Sequence, residues 1–215
     1  MTKARLKTKP ALPPPFKQAR SRVTHGKIFK AARDEFSTHG FHGARIDRMA
    51  AAAGVNKQRI YAYFHSKARL FAEVLKSAYN ELVAEEKKLF TRLEHNGHHD
   101  LGAILFDHYT SFHLRHPHFW RLLAWENLAG GRHAQVLKGL RSETLARLRG
   151  LYRQGQEAGA YRDDVEPDTF IFAVMAIIFF HFSNRKTMSQ TLNRNLGDPK
   201  VRDRLLGEIL KILAV

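Results

Sequence analysis

Residues 46–67 read IDRMAAAAGVNKQRIYAYFHSK, and their spacing bears on the fold class and the function class together. Ile46, Met49, Ala50 and Ala53 fall at i, i+3, i+4 and i+7, the apolar stripe of a short helix. Gly54 supplies the chain reversal after it. Asn56 is a favoured N-cap for a second helix, in which Ile60 and Phe64 face inward while Lys57, Gln58, Arg59, Tyr61 and Tyr63 occupy the remaining faces. Two short helices across a tight turn, the second rich in basic and aromatic side chains, form the pattern of a helix-turn-helix whose second helix enters a DNA major groove. The same pattern occurs in proteins that bind no DNA, so spacing alone leaves that alternative open.

On the N-terminal side, Ile28, Ala32 and Phe36 recur every four residues and predict a helix from Val23, stopped by Gly40. Residues 1–22 carry seven basic groups, no acid, and Pro10, Pro13, Pro14 and Pro15, and are expected to form a flexible basic arm. Such an arm is either a solvated terminus or a contact to an adjacent DNA groove. On the C-terminal side, Ser66 caps a long helix from Lys67 to about Leu93, and Asp100 caps another that ends near His116, ahead of a helix opened by Pro117. Further helices are expected from about Arg132 to Ala158, from Pro167 to about Arg185, and from Asp198 onward. No alternating strand pattern competes, so the fold class is all-α with about nine helices. The expected division is an arm (1–22), a three-helix DNA-binding unit (23–68) and a further helical unit with some other role (69–215).

The formal net charge is +16 over 215 residues. Residues 1–75 hold 16 Lys+Arg against 4 Asp+Glu, whereas residues 76–215 hold 20 against 16. The excess therefore sits around the helix-turn-helix, where a positive field attracts phosphates. Cysteine is absent, which excludes disulfides, thiolate metal sites and cysteine nucleophiles and suits a cytoplasmic setting. The first 22 residues lack the apolar core of a secretory signal. The run FIFAVMAIIFF, Phe170 to Phe180, is too short to span a bilayer and is expected to be a helix buried on most sides. Among the 13 histidines, His113, His116 and His118 and the loop group His95, His98 and His99 are the nearest to metal-ligand sets, but Pro117 is expected to turn His118 away and loop histidines are usually exposed, so no metal site is expected. No nucleophile, base and orienting group recur at a recognisable spacing, and an enzyme is not expected.

Ile28, Ala32, Phe36, Gly40-Phe41, Met49-Ala50, Ala53-Gly54-Val55, Ile60-Tyr61, Phe64 and Ser66-Lys67 together resemble the N-terminal signature of the TetR family, most specifically across AAAAGVNKQRIYAYFHSKARLF (50–71). The resemblance implies a transcriptional regulator, by family default a repressor, working as a homodimer on a palindromic operator. By motif position it implies that Lys57, Gln58, Arg59 and Tyr63 face the groove and that Tyr61 and Lys67 bond backbone phosphates; Arg45, where the family residue differs, is expected as a further phosphate contact from its place at the start of the second helix. Arg59 can donate twice to a guanine and Gln58 can pair with an adenine. The other reading makes these solvated surface groups. Family members usually carry a hydroxyl at the place of Ala44 and an acid at that of Ala68, so one phosphate contact and one capping box are missing here.

HPHFWRLLAWENLAGGRH and HFSNRKTMSQTL are similar to the C-terminal domain of the pyrimidine-utilisation regulator branch. That likeness implies a pocket among the middle helices and a dimer interface from the last two, with an unidentified small-molecule effector and no cofactor. Trp120, Trp125, Phe172, Met175, Phe179 and Asn184 are the candidate pocket residues, and ordinary core packing is the alternative for each. The rival function is a helical binding protein whose basic N-terminus docks on RNA or an anionic membrane. An amphipathic basic helix would serve a membrane better than a proline-broken arm.

Overall fold

The computed structural model describes residues 15–96 and 100–213. Among these residues the chain forms nine α-helices and one 3-10 turn, with no strand. The first three helices, α1 (Pro15–Gly43), α2 (Ile46–Ala53) and α3 (Lys57–Phe64), close around Ile28, Ala32, Phe36, Met49, Ile60 and Phe64, all essentially inaccessible to solvent. Burying an aliphatic or aromatic side chain of this size is worth roughly 1.5–3 kcal/mol, which explains how three short elements hold one arrangement. Phe36 meets Phe71 edge to face at 4.9 Å between ring centroids, tying this group to α4 (Lys67–Asn96).

The remaining helices are α5 (Leu101–Arg115), α6 (Pro117–Leu128), α7 (Ser142–Glu157), α8 (Pro167–Thr191) and α9 (Pro199–Leu213). α5 packs on α8 and α9, α7 packs on α8, and α6 bridges back to α1 and α4. Local chemistry sets the boundaries. Asp100 accepts the Ala103 N–H at 2.9 Å, and Pro117 opens α6 where its missing N–H costs nothing.

Three boundaries and the burial of one helix differ from the sequence expectation. α1 begins at Pro15, so residues 15–22 belong to the helix and not to the arm; a proline in the first helical turn breaks no hydrogen bond. The remainder of the arm, residues 1–14, lies outside the described residues, as do the loop histidines His98 and His99. The single helix expected over 132–158 is instead a 3-10 turn (Ala134–Leu137) followed by α7, because Gly139 takes φ 78° and breaks the run. α8 runs six residues past Arg185, since its polar end adapts to the helix: Thr187 Oγ1 donates to the Asn184 carbonyl at 2.9 Å and Thr191 Oγ1 to that of Thr187 at 3.1 Å. Nor is α8 buried on most sides. Val174 and Ile178 are fully enclosed, but Phe172 and Phe180 on the opposite face are 70% and 52% exposed.

Candidate functional site

The turn between α2 and α3 is built by Gly54 in the left-handed conformation (φ 66°, ψ 38°) and by Asn56, whose side-chain oxygen accepts the Arg59 N–H at 2.8 Å. These two residues aim α3 so that Ile60 and Phe64 enter the core while Lys57, Gln58, Arg59 and Tyr61 stand in solvent. Lys57 pairs with Asp47 at 3.2 Å, an exposed contact of small worth that a phosphate could replace. Arg45 is exposed, and its N–H donates to Glu35 Oε1 at 2.9 Å. Arg48 Nε donates to the same oxygen at 2.7 Å. Burial alone would push the Glu35 carboxyl up, but the bonds from Arg48 and Arg45 bring it below the usual carboxylate value, so Glu35 stays charged and fixes the start of α2.

Two of the expected DNA contacts are partly occupied within the protein. The Tyr63 hydroxyl lies 2.9 Å from Ser21 Oγ, and its ring packs near His25 at 5.8 Å, which turns it toward α1. Lys67 is half-buried, with its ammonium 4.9 Å from the Phe41 ring centroid and 3.5 Å from the His42 carbonyl; burial lowers its pKa and nearby Glu35 partly opposes that.

A joint connects this surface to the rest of the chain. Gly40 sits at φ 65°, ψ −179°, a conformation essentially confined to glycine, and a Cβ there would come within 2.7 Å of the Trp125 ring on α6. Beside it, His133 packs against Phe41 and Phe71 at 4.7 and 4.9 Å. Its backbone N–H and Nδ1 both donate to Glu126, which is 3% exposed. Further along α1, Arg33 lies 3.7 Å from Glu81, which also takes His116 at 3.2 Å and His118 at 2.9 Å. The turn at Pro117 thus brings His116 and His118 together instead of separating them, and their ring nitrogens and a Glu81 oxygen lie within 4.8 Å of one another.

Between α4, α5, α6, α8 and α9 lies a cavity of about 880 Å³. Its walls are mainly aliphatic and aromatic, including Tyr79, Phe119, Leu123 and Phe179. One polar group of charges closes it. Arg141, in the bend before α7, bonds Glu86 through Nε and Nη2, and Tyr109 donates to Glu86 Oε1 at 2.8 Å. Glu86 is inaccessible, so this pair is held by mutual satisfaction in a medium where either charge alone is costly. Burial and Glu86 push the Tyr109 hydroxyl pKa far upward, so it remains a donor.

The family described as bacterial regulatory proteins of the tetR family matches residues 28–74, and the tetracyclin repressor-like C-terminal domain matches residues 103–212. The transcriptional repressor NicS of Pseudomonas putida is 36% identical over 184 residues, covering 83% of this chain and 85% of NicS. The chain belongs to the TetR family. The regulator RutR of Escherichia coli is 31% identical over 169 residues, covering 73% and 74% of the two chains, in keeping with the likeness drawn from the C-terminal sequence. Among solved structures, SCO4942 of Streptomyces coelicolor superposes with a TM-score of 0.66 at 25% identity, covering 89% of this chain and 98% of that one.

In this TetR protein the candidate pocket residues divide. Phe172, Met175 and Phe179 line the cavity. Trp120, Trp125 and Asn184 do not: Trp125 is seated on Gly40, Trp120 stacks with Arg121 at 5.2 Å, and the Asn184 amide donates to its own helix, to the Phe180 carbonyl at 3.3 Å. Helical spacing shows that a residue faces an interior, not which one. The polar residues that close the cavity, Glu86, Tyr109, Arg141 and His113, went unpicked from the sequence. Their only signal is a lone acid inside an otherwise apolar register of α4.

Proposed function

We propose that the chain is a homodimeric, ligand-responsive repressor that binds a palindromic DNA operator through α3. Residues 23–68 read DNA, and residues 69–215 bind the effector and dimerise. The observation that carries this reading is the joint at Gly40 and Trp125, which couples a solvent-facing recognition helix to the element walling an apolar cavity. Two copies related by a twofold axis would present two α3 helices to successive major grooves about 34–36 Å apart. The second copy would cover the apolar face of α8 and α9, where Phe172, Phe180 and Ile212 stand exposed. An effector that prefers the conformation with misplaced α3 helices lowers operator affinity by its own differential affinity. A cytoplasmic location and a non-enzymatic role accord with this function.

Selection from a randomised duplex library tests it. The expected result is an enriched palindrome with half-sites one helical turn apart, from which Arg59→Ala removes about 1–3 kcal/mol of base discrimination. Salt-sensitive binding to every sequence alike, with Arg59→Ala indistinguishable from wild type, would overturn the reading.

A further inference from the structure

We infer that the effector is an organic acid, with an apolar body filling the cavity and a carboxylate held by Arg141. The inference rests on the regulatory reading above and specifies the chemistry of its ligand.

The charge lining the cavity is one-sided. Arg141 and Arg185 both line it, and among the described residues no Asp or Glu does; Glu86 sits behind Arg141. The Nε and Nη2 atoms of Arg141 are taken up by Glu86 and the Tyr109 hydroxyl. Its Nη1, by contrast, meets only the thioether of Met175, at 3.0 Å. A sulfur is a weak acceptor, so this guanidinium edge is a poorly satisfied charged donor in the cavity wall. A carboxylate is the acceptor whose charge and geometry suit a guanidinium.

A second group makes a different demand on the same ligand, a hydrogen-bond donor. His113 is 6% exposed, and its Nδ1 must carry the proton because it donates to the Tyr109 carbonyl at 2.8 Å. Its Nε2 is then an acceptor, buried, lining the cavity and without a protein partner. Burial, only partly opposed by the Tyr109 bond, lowers the His113 pKa to about 4, so the ring stays neutral near pH 7. His181, also 6% exposed, lines the cavity with neither ring nitrogen bonded. A purely hydrocarbon occupant would leave all three sets of atoms unsatisfied, at a cost each buried polar group imposes. An acid that also carries a hydrogen-bond donor satisfies both Arg141, in the bend before α7, and His113, one helical turn along α5 from Tyr109.

Calorimetry with full-length protein and matched pairs of probes tests this: 3-phenylpropionate against 3-phenylpropionamide, and decanoate against decanamide. The acid is expected to bind at least tenfold more tightly than its amide in at least one pair. Paired replacement, Glu86→Gln with Arg141→Gln, removes both buried charges without stranding either, and is expected to reduce that preference to near unity. Equal binding of acid and amide, binding of neither in both pairs, or an undiminished preference in the paired variant would overturn the assignment. If the paired variant fails to fold, the wild-type comparison still decides. Operator release is read separately: an acid that binds without releasing DNA counts against the regulatory reading, and release by neutral compounds alone counts against the acid.

Discussion

The exposed surface of α3 and the apolar cavity are built on opposite terms. α3 keeps Lys57, Gln58, Arg59 and Tyr61 in water, each replaceable without disturbing Ile60 or Phe64 beneath. The cavity works with groups that are themselves part of the core: Arg141, Glu86 and Tyr109 satisfy one another, and removing one strands the rest. A change of specificity is therefore cheap in the first region and threatens folding in the second.

The largest test of that contrast is Arg141→Ala. Leaving Glu86 buried and unpaired is expected to destabilise the fold by about 3–5 kcal/mol in chemical denaturation, or to abolish soluble expression. A loss below about 1 kcal/mol would place Glu86 in contact with water and break the contrast.

Acid titration should sharpen it next. The folded-state pKa of His113 is about 4 against 6.5 for the free side chain. The unfolded chain therefore binds the proton first as pH falls. Stability is full above pH 6.5 and declines through the window from 6.5 to 4, by on the order of 3 kcal/mol in total. Thermal unfolding across that range should show the decline in the wild type and a shallower one in His113→Phe. Parallel curves would exclude His113 as the source.

Gly40→Ala probes the seam between the two regions. The backbone there disfavours any side chain and the Trp125 ring occupies the space, so a loss of about 1–3 kcal/mol is expected. Operator affinity should fall with it although residue 40 is not on α3. Unchanged DNA binding would show that the regions are coupled elsewhere. The smallest effect belongs to the surface itself: Asn56→Ala removes the cap on Arg59 and should cost about 1 kcal/mol of stability, measurable as a lowered denaturation midpoint.

What could be read from the sequence follows the same division. The helix-turn-helix is legible because its evidence is local: apolar spacing, a glycine turn and an Asn cap all fall within residues 46–67. The cavity is not, because Glu86 and Arg141 meet from positions 55 apart and Tyr109 joins them from a third helix. Trp125 shows the limit of periodicity. Its apolar ring on α6 reads as a pocket-lining group, yet it is 39% exposed and what it covers is Gly40 of α1, a contact that no spacing encodes. Pro117 misled in the other direction, since a chain break can bring His116 and His118 onto one carboxylate as readily as separate them.

The Gly40–Trp125 contact also bears on how such regulators can be recombined. Fusing this headpiece to a different sensing domain would join a glycine without its ring, or a ring without its glycine. One combination leaves a hole and the other a clash. Modular exchange at this seam therefore requires that both residues travel together, even though they lie 85 positions apart and belong to segments that would be inherited separately.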